Sequence, residues 1–298
     1  EVWDALRGDL PGRGAGWAYH PPDEFPAIAD LVLPEPFVRR LEQAPAVLSA
    51  GKAHALVVRG TAGSDRLRIA GAAARALGRG VISVDGAALA GRPDRSLGPL
   101  CSLVGALPAI SYDLGPGETA QPPDLAAYDG PVIVLLGMEG GLHGKLGEAS
   151  LTLRVPPLKA EQRLRCWQAA LDAPSPDLPA LAERFHLPAR PIRRAAATAS
   201  AYAALDGRSA VLLGDVQEAC RALNRQLLDT LAAHLDGDGL SWQTLVVSDG
   251  VAERLAELEQ RCRHRERLPD RLGPAFGAGG NRGVRALLTG PSGTGKTL

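Results

Sequence analysis

From Phe25 onward the chain alternates short apolar runs with amphipathic stretches. His54–Arg59, Val81–Asp85, Ala109–Asp113, Pro131–Leu136 and Leu151–Val155 are brief, apolar and bounded by turn residues, the pattern of strands covered on both faces. The Ala- and Leu-rich stretch Arg66–Leu77 suits a helix packed on a sheet, and Arg95–Leu107 predicts a second one. Strands alternating with helices imply an α/β class: a parallel five-stranded sheet flanked by helices, spanning 25–157. The stretch 114–130, rich in Gly and Pro, is expected to be a long exposed loop.

After Pro157 the spacing changes. Lys159–Leu171, Asp177–Phe185, Pro191–Leu205 and Gly214–Leu231 carry apolar residues three and four apart, so a small helical bundle is expected over 158–235. Trp167, Phe185 and Trp242 fall on apolar positions and read as core. Asp215 reads as a helix cap and Asp85 as a turn residue. The Gly- and Pro-rich stretch 1–24 reads as a linker or the remnant of an upstream domain.

One stretch recurs. Asp30–Gln43 returns in outline as Thr244–Leu255, each copy preceding a strand and a Gly-rich turn, so the chain carries a tandem duplication. The second copy has about sixteen more residues before its turn, mostly Leu268–Asn281, expected to be a mobile loop. Residues 236–298 are therefore the start of a second α/β domain.

The second turn carries the chemistry. Gly290-Pro291-Ser292-Gly293-Thr294-Gly295-Lys296-Thr297 meets the G-x-x-x-x-G-K-[ST] phosphate-binding pattern at every fixed position. Val284–Thr289 ahead of it reads as the buried strand that feeds such a loop. Glycines let successive backbone N–H groups turn inward around a phosphate, and Gly295 lets the backbone pass close to it. Lys296 is placed to reach the β- and γ-phosphates, and the Thr297 hydroxyl to ligate Mg2+. The chain ends at Leu298, where the following helix is expected, and begins with Glu1 rather than Met. We therefore expect a piece of a longer nucleotide-dependent protein.

Laid on the second turn, the first has lost its chemistry. Gly60 and Gly63 match Gly290 and Gly293, but Asp65 replaces Gly295, Arg66 replaces Lys296 and Leu67 replaces Thr297. A carboxylate now stands where phosphate must come close, and Leu67 has no oxygen for a metal ion. Arg66 keeps a positive charge without the compact ammonium geometry. Asp113, at a strand end, is the candidate metal-positioning acid, yet Leu114 follows it where a water-activating Glu is needed. The alternative strand end, Leu136-Gly137, offers no acid at all. The first domain is thus expected not to hydrolyse nucleotide, and nucleotide binding there is disfavoured.

Bulk properties narrow the classes. Thirty-three basic residues balance thirty-three acidic ones across 298 positions, so charge counts against a nucleic-acid partner. The basic cluster Arg261–Arg265 reads as a solvated helix face. Cys101, Cys166, Cys220 and Cys262 form no C-x-x-C pair, and the six histidines are isolated, which argues against metal or disulfide frameworks and for a reducing, cytoplasmic setting. No apolar run is long enough to span a membrane.

With both loops, the helical stretch 159–228 and Arg282–Leu298 in hand, the chain resembles the AAA+ ATPases, whose fold is a P-loop NTPase-like sheet followed by a small helical lid. Val247–Arg265 further resembles two-module bacterial members encoded with contractile, phage-tail-like injection systems, in which the first module is degenerate and the second active. The resemblance implies ATP and Mg2+ as ligands, bound by Gly290 through Thr297. It also implies assembly as a ring, often a hexamer, that remodels a protein partner. Of Arg184, Arg190, Arg193 and Arg194 in the lid, relatives suggest one near nucleotide, although an ion-paired or solvated role fits them as well. A non-hydrolysing, nucleotide-gated scaffold or switch remains the alternative, and a nucleic-acid-loading ATPase a more distant one.

Overall fold

The computed structural model describes residues 13–14, 16–89, 96–171, 178–228, 245–264, 284 and 286–289. The insert 268–281, Trp242 and the second phosphate-loop sequence Gly290–Thr297 lie outside the described residues.

The elements run β1 (Arg13–Gly14), β2 (Trp17–His20), α1 (Glu35–Ser49), β3 (Ala55–Arg59), α2 (Arg66–Ala76), β4 (Gly80–Asp85), α3 (Gly86–Leu89), α4 (Leu97–Leu103), β5 (Ala106–Tyr112), β6 (Thr119–Ala120), β7 (Val132–Leu136), β8 (Gly141–Leu142), α5 (Lys145–Glu148), β9 (Ser150–Arg154), α6 (Ala160–Ala170), α7 (Leu178–Arg184), α8 (Ala189–Leu205), α9 (Leu213–Leu228) and α10 (Asp249–His264). The five expected strands are β3, β4, β5, β7 and β9, all mutually parallel, in the spatial order β4-β5-β7-β3-β9.

The sheet is larger than the five strands expected. β2 adds an antiparallel strand on β4, and two-residue β1 extends it to seven. Residues 13–14 and 17–20 therefore belong to the sheet, where a linker was expected. Gly and Pro around them hid a strand whose Trp17 is buried on the sheet face.

Side-chain alternation builds both cores. Leu56 and Val58 of β3 face α1 and α2, packing with Leu41, Ala44, Ile69 and Ala73. Val57 faces the other side, with Ile82, Leu97, Leu100 and Ile110. Burial on both faces explains why β3 and β7 read as near-continuous apolar runs. Two boundaries moved. The helix expected over 95–107 ends at Leu103, because Gly105 (φ +62°) turns the chain out of it, and β5 takes up Ala106 and Leu107. The stretch 114–130 is tied down by β6, which pairs in parallel with β8 and buries Ala120.

The helices α6–α9 have their own core around fully buried Trp167, Ile192, Ala195, Ala199 and Ala219, with Phe185 packed against it. Val32, just ahead of α1, packs against this core as well, so the α/β part and the helical part touch there. Among the described residues of Val284–Thr289 no strand forms, and Leu287 is 89% exposed. A strand needs a neighbour for its backbone N–H and C=O groups, and among the described residues nothing pairs with this segment.

Candidate functional site

β3 lies between β7 and β9, and the turn Gly60–Leu67 leaves its carboxyl end. Ligands of open α/β sheets sit beyond this edge. The Gly60 N–H donates to Leu136 O at 3.2 Å, and Val155 N–H donates to Arg59 O at 2.7 Å, which anchors the turn to both neighbouring strands. Ser64 N–H donates back to Thr61 O at 3.1 Å, drawing the turn into a tight loop.

That loop is filled by its own side chains. A Cβ at Gly60 would fall on Ser64 Oγ, so the Ser64 hydroxyl occupies the space inside the turn. This oxygen is buried with no hydrogen-bond partner among the described residues. Gly63 (φ +80°) is left-handed, and a Cβ there would lie 2.9 Å from Pro191 Cδ, at the start of α8. The turn is thus pressed from the helical side as well as filled from within.

Asp65 precedes α2 in the left-handed region (φ 57°, ψ 33°), which Asp tolerates better than most residues. Its carboxylate makes no capping bond to α2. It accepts instead from Arg193 Nη2 at 2.7 Å, 128 positions away on α8. The Asp65 side chain is 9% exposed and Arg193 40%. Arg193 in the helical part is thus ion-paired to the turn.

Arg66 points to the other flank. Burial pulls its guanidinium below the usual arginine value, and the Asp113 charge opposes that shift. Asp113 follows β5, whose neighbours are β4 and β7. The candidate metal-positioning acid and the residue in the lysine's place therefore feel each other, but as an Arg–Asp couple. Leu67 packs into the core beneath α1 and α2, and Leu114 into the core on the opposite face. Neither presents an oxygen to this edge. At the positions that would hold a Mg-bound triphosphate the turn carries the Asp65 carboxylate and Leu67, which has no oxygen, and the Ser64 hydroxyl fills the cradle.

Two cavities flank the turn. One, of about 550 Å³, lies between the α/β part and the helices, lined among others by Leu31, Ser64, Asp65, Cys166, Pro188 and Arg193. The other, of about 740 Å³, opens over the strand ends, with Arg66, Ser83, Asp85, Ser111 and Arg190 on its walls. Asp85 itself accepts from Ala87 N–H at 3.0 Å and closes the turn into α3.

A Ser–His–Glu chain borders the second cavity. His20 Nε2 lies 3.0 Å from Ser83 Oγ, and His20 Nδ1 lies 2.9 Å from Glu24 Oε1. This is the order of a nucleophilic triad, but Ser83 sits within β4, which is hydrogen-bonded to β2 on one side and β5 on the other. Its backbone amides are committed to the ladder, leaving none to hold an oxyanion. We read the chain of bonds as a tie between β2 and β4.

Inside the helical part, Arg163 is 5% exposed and donates through Nε to Ala182 O (2.7 Å) and through Nη1 to Leu158 O (2.5 Å), joining α6 to α7. Asp215 does cap a helix: it accepts the Leu212 N–H at 2.7 Å at the start of α9 and both amino groups of Arg208 at 2.8 Å.

Sequence reading found the altered turn and the candidate acid. It missed that Ser64, Pro191 and Arg193 meet there. The signal was faint: an acid at a glycine position and arginines in the helical stretch, far apart along the chain.

Comparison with known proteins identifies part of the chain. Residues 159–226 match the family described as the contractile injection system ATPase helical domain. Among solved structures, one described as the structural basis for katanin self-assembly aligns with a TM-score of 0.50 at 15% identity, over 74% of this chain and 90% of that one. A RuvB mutant of Thermotoga maritima aligns at 0.49 and 14% identity, over 69% and 78%. The FIGL-1 AAA domain aligns at 0.45 and 12%, over 79% and 89%. No curated protein matches the chain by sequence. The katanin likeness, at 15% identity, is one of fold alone.

Proposed function

We propose that this chain, an AAA+ ATPase by its fold and by its contractile injection system ATPase helical domain, is part of an ATP-driven remodelling machine whose two modules divide the work. Residues 25–157 form a degenerate α/β domain and 158–235 its lid, while 236–298 open the second, active module. One contrast carries this reading: the first loop has Asp65, Arg66 and Leu67 where the second has Gly295, Lys296 and Thr297.

In the second module, Gly290 through Gly295 would wrap the phosphates of ATP, Lys296 would neutralise the β- and γ-oxygens, and Thr297 would hold Mg2+. Bound there, Mg-ATP supplies a phosphoanhydride whose hydrolysis releases the energy for remodelling. The first module contributes no hydrolysis. It stabilises a ring of subunits or holds partners, in a cytoplasmic assembly. Among the described residues no helix is long and apolar enough to cross a membrane.

The test is a pair of substitutions in the full-length protein. Lys296→Ala is expected to lower ATP turnover by on the order of 100-fold or more, as loss of a single transition-state contact does. Arg66→Ala should leave it within about twofold. Equal losses from both would end the division of labour, and ATP binding without turnover in the unaltered protein would favour a nucleotide-gated switch.

A further inference from the structure

We propose that the Asp65 carboxylate is a built-in anion that latches α8, and with it the helical part, onto the empty-handed first loop. The proposal rests on reading that loop as unable to hold nucleotide, and it says what holds the two parts together in place of one.

Three contacts converge. Asp65 sits where Gly295 stands in the second copy, so its side chain is the first loop's own addition at a phosphate-facing position. It adopts the left-handed conformation and leaves α2 uncapped, so its carboxylate is free to reach Arg193 at 2.7 Å. Two residues earlier in α8, Pro191 packs on Gly63, where any side chain would collide with it. Arg193 and Pro191 both lie in the first turns of α8, so an ion pair and a steric fit grip the same end of one helix. The Asp65 side chain is nearly sealed while Arg193 is partly open, which places the pair above a fully solvated surface bridge and below a buried one.

The consequence is a lid held closed without ligand. The charge that Arg193 meets is covalently part of the loop, so the contact needs no bound ligand. The first module then has one fixed arrangement of sheet and helices, as suits a part that scaffolds rather than cycles.

Hydrogen exchange on the nucleotide-free chain tests this. Asp65→Asn keeps a residue that accepts the left-handed backbone and removes the charge; Arg193→Met keeps the stem and removes the guanidinium. Circular dichroism confirms that each variant is folded. Each substitution is expected to speed amide exchange in 189–205 about fivefold, the equivalent of roughly 1 kcal/mol, while β3 and β7 stay protected. The double variant should be no faster than either single one, because both break the same bond. Unchanged exchange in the single variants, or additive effects in the double, would overturn the latch. Because no nucleotide is present, either result leaves the Lys296 and Arg66 comparison untouched.

Discussion

α1 and α10 carry the same apolar spacing in different circumstances. Offset by a constant 214 positions, Phe37, Leu41, Ala44 and Leu48 correspond to Val251, Leu255, Leu258 and Cys262, and Glu35 to Asp249. The apolar spacing is the same and both form helices, of 15 and 16 residues. In α1 the stripe is closed over by the sheet, with Leu41 and Ala44 at 0% exposure. In α10 the corresponding Val251 is 45% exposed, and Leu255 and Leu258 are only half-buried. The pattern encodes a face; what covers the face decides how much it stabilises. Among the described residues the α10 stripe is covered less than that of α1.

The widest gap between the two helices should appear on truncating matched leucines. Leu41→Ala leaves a cavity between α1 and the sheet and is expected to cost about 3 kcal/mol, within the range for buried leucines. Leu255→Ala at the matching place in α10 should stay within about 0.5 kcal/mol. Urea titration of the chain with each substitution measures both, and comparable losses would mean that α10's face is covered after all.

Glycines sharpen the contrast because the sign should reverse. A Cβ at Gly71 in α2 would fall on the Phe25 ring, so Gly71→Ala overpacks a tight contact and is expected to cost about 1–3 kcal/mol. At Gly250 in α10 nothing lies within 4 Å, so Gly250→Ala meets no obstacle and gains about 0.5 kcal/mol from helix propensity alone. Thermal midpoints moving in the same direction for both would contradict the packing described for the first copy.

How far this was readable in advance depended on the range of the interactions. β3 and β7 announced themselves as apolar runs, since burial on both faces leaves few polar positions to confuse the period, and Trp167 and the helical stripes followed local spacing. β2 did not, because its pairing with β4 is set by a partner some sixty positions on, Ala18 opposite Ser83, amid Gly and Pro. At the site, Asp65, Arg66 and Leu67 were legible by alignment within the chain, and Asp113 by its place after a strand. The Asp65–Arg193 bond was not: it spans 128 positions, and no local pattern says which of several lid arginines will meet the loop. The apolar stretch Val284–Thr289 was legible as a strand in sequence, yet strand formation is a property of pairs, and no partner strand is described beside it.

Acid should separate the packed copy from α10 more gently. At the head of α9, hydrogen bonds from Arg208, then the Leu212 N–H, hold the Asp215 carboxyl down at about 2, against the opposing pull of burial. A carboxylate whose folded value lies below its unfolded one stabilises the fold fully above the unfolded value, near 4. That contribution shrinks as pH falls from about 4 toward 2 and is gone below it. Solvent reaches Arg208, so screening keeps the effect small. Thermal midpoints of the chain and of Asp215→Asn should therefore differ by a constant amount above about pH 4.5 and converge as the pH approaches 2. Exchange in 249–264 should be the same in both proteins throughout, because the bonds of this cap run to Arg208 and Leu212. A gap that stays constant down to pH 2 would mean that the Arg208–Asp215 bond adds nothing to holding α9 in the helical part. The helical part would then rest on the Trp167 core, the Arg163 bonds and the loop contacts of Pro191 and Arg193.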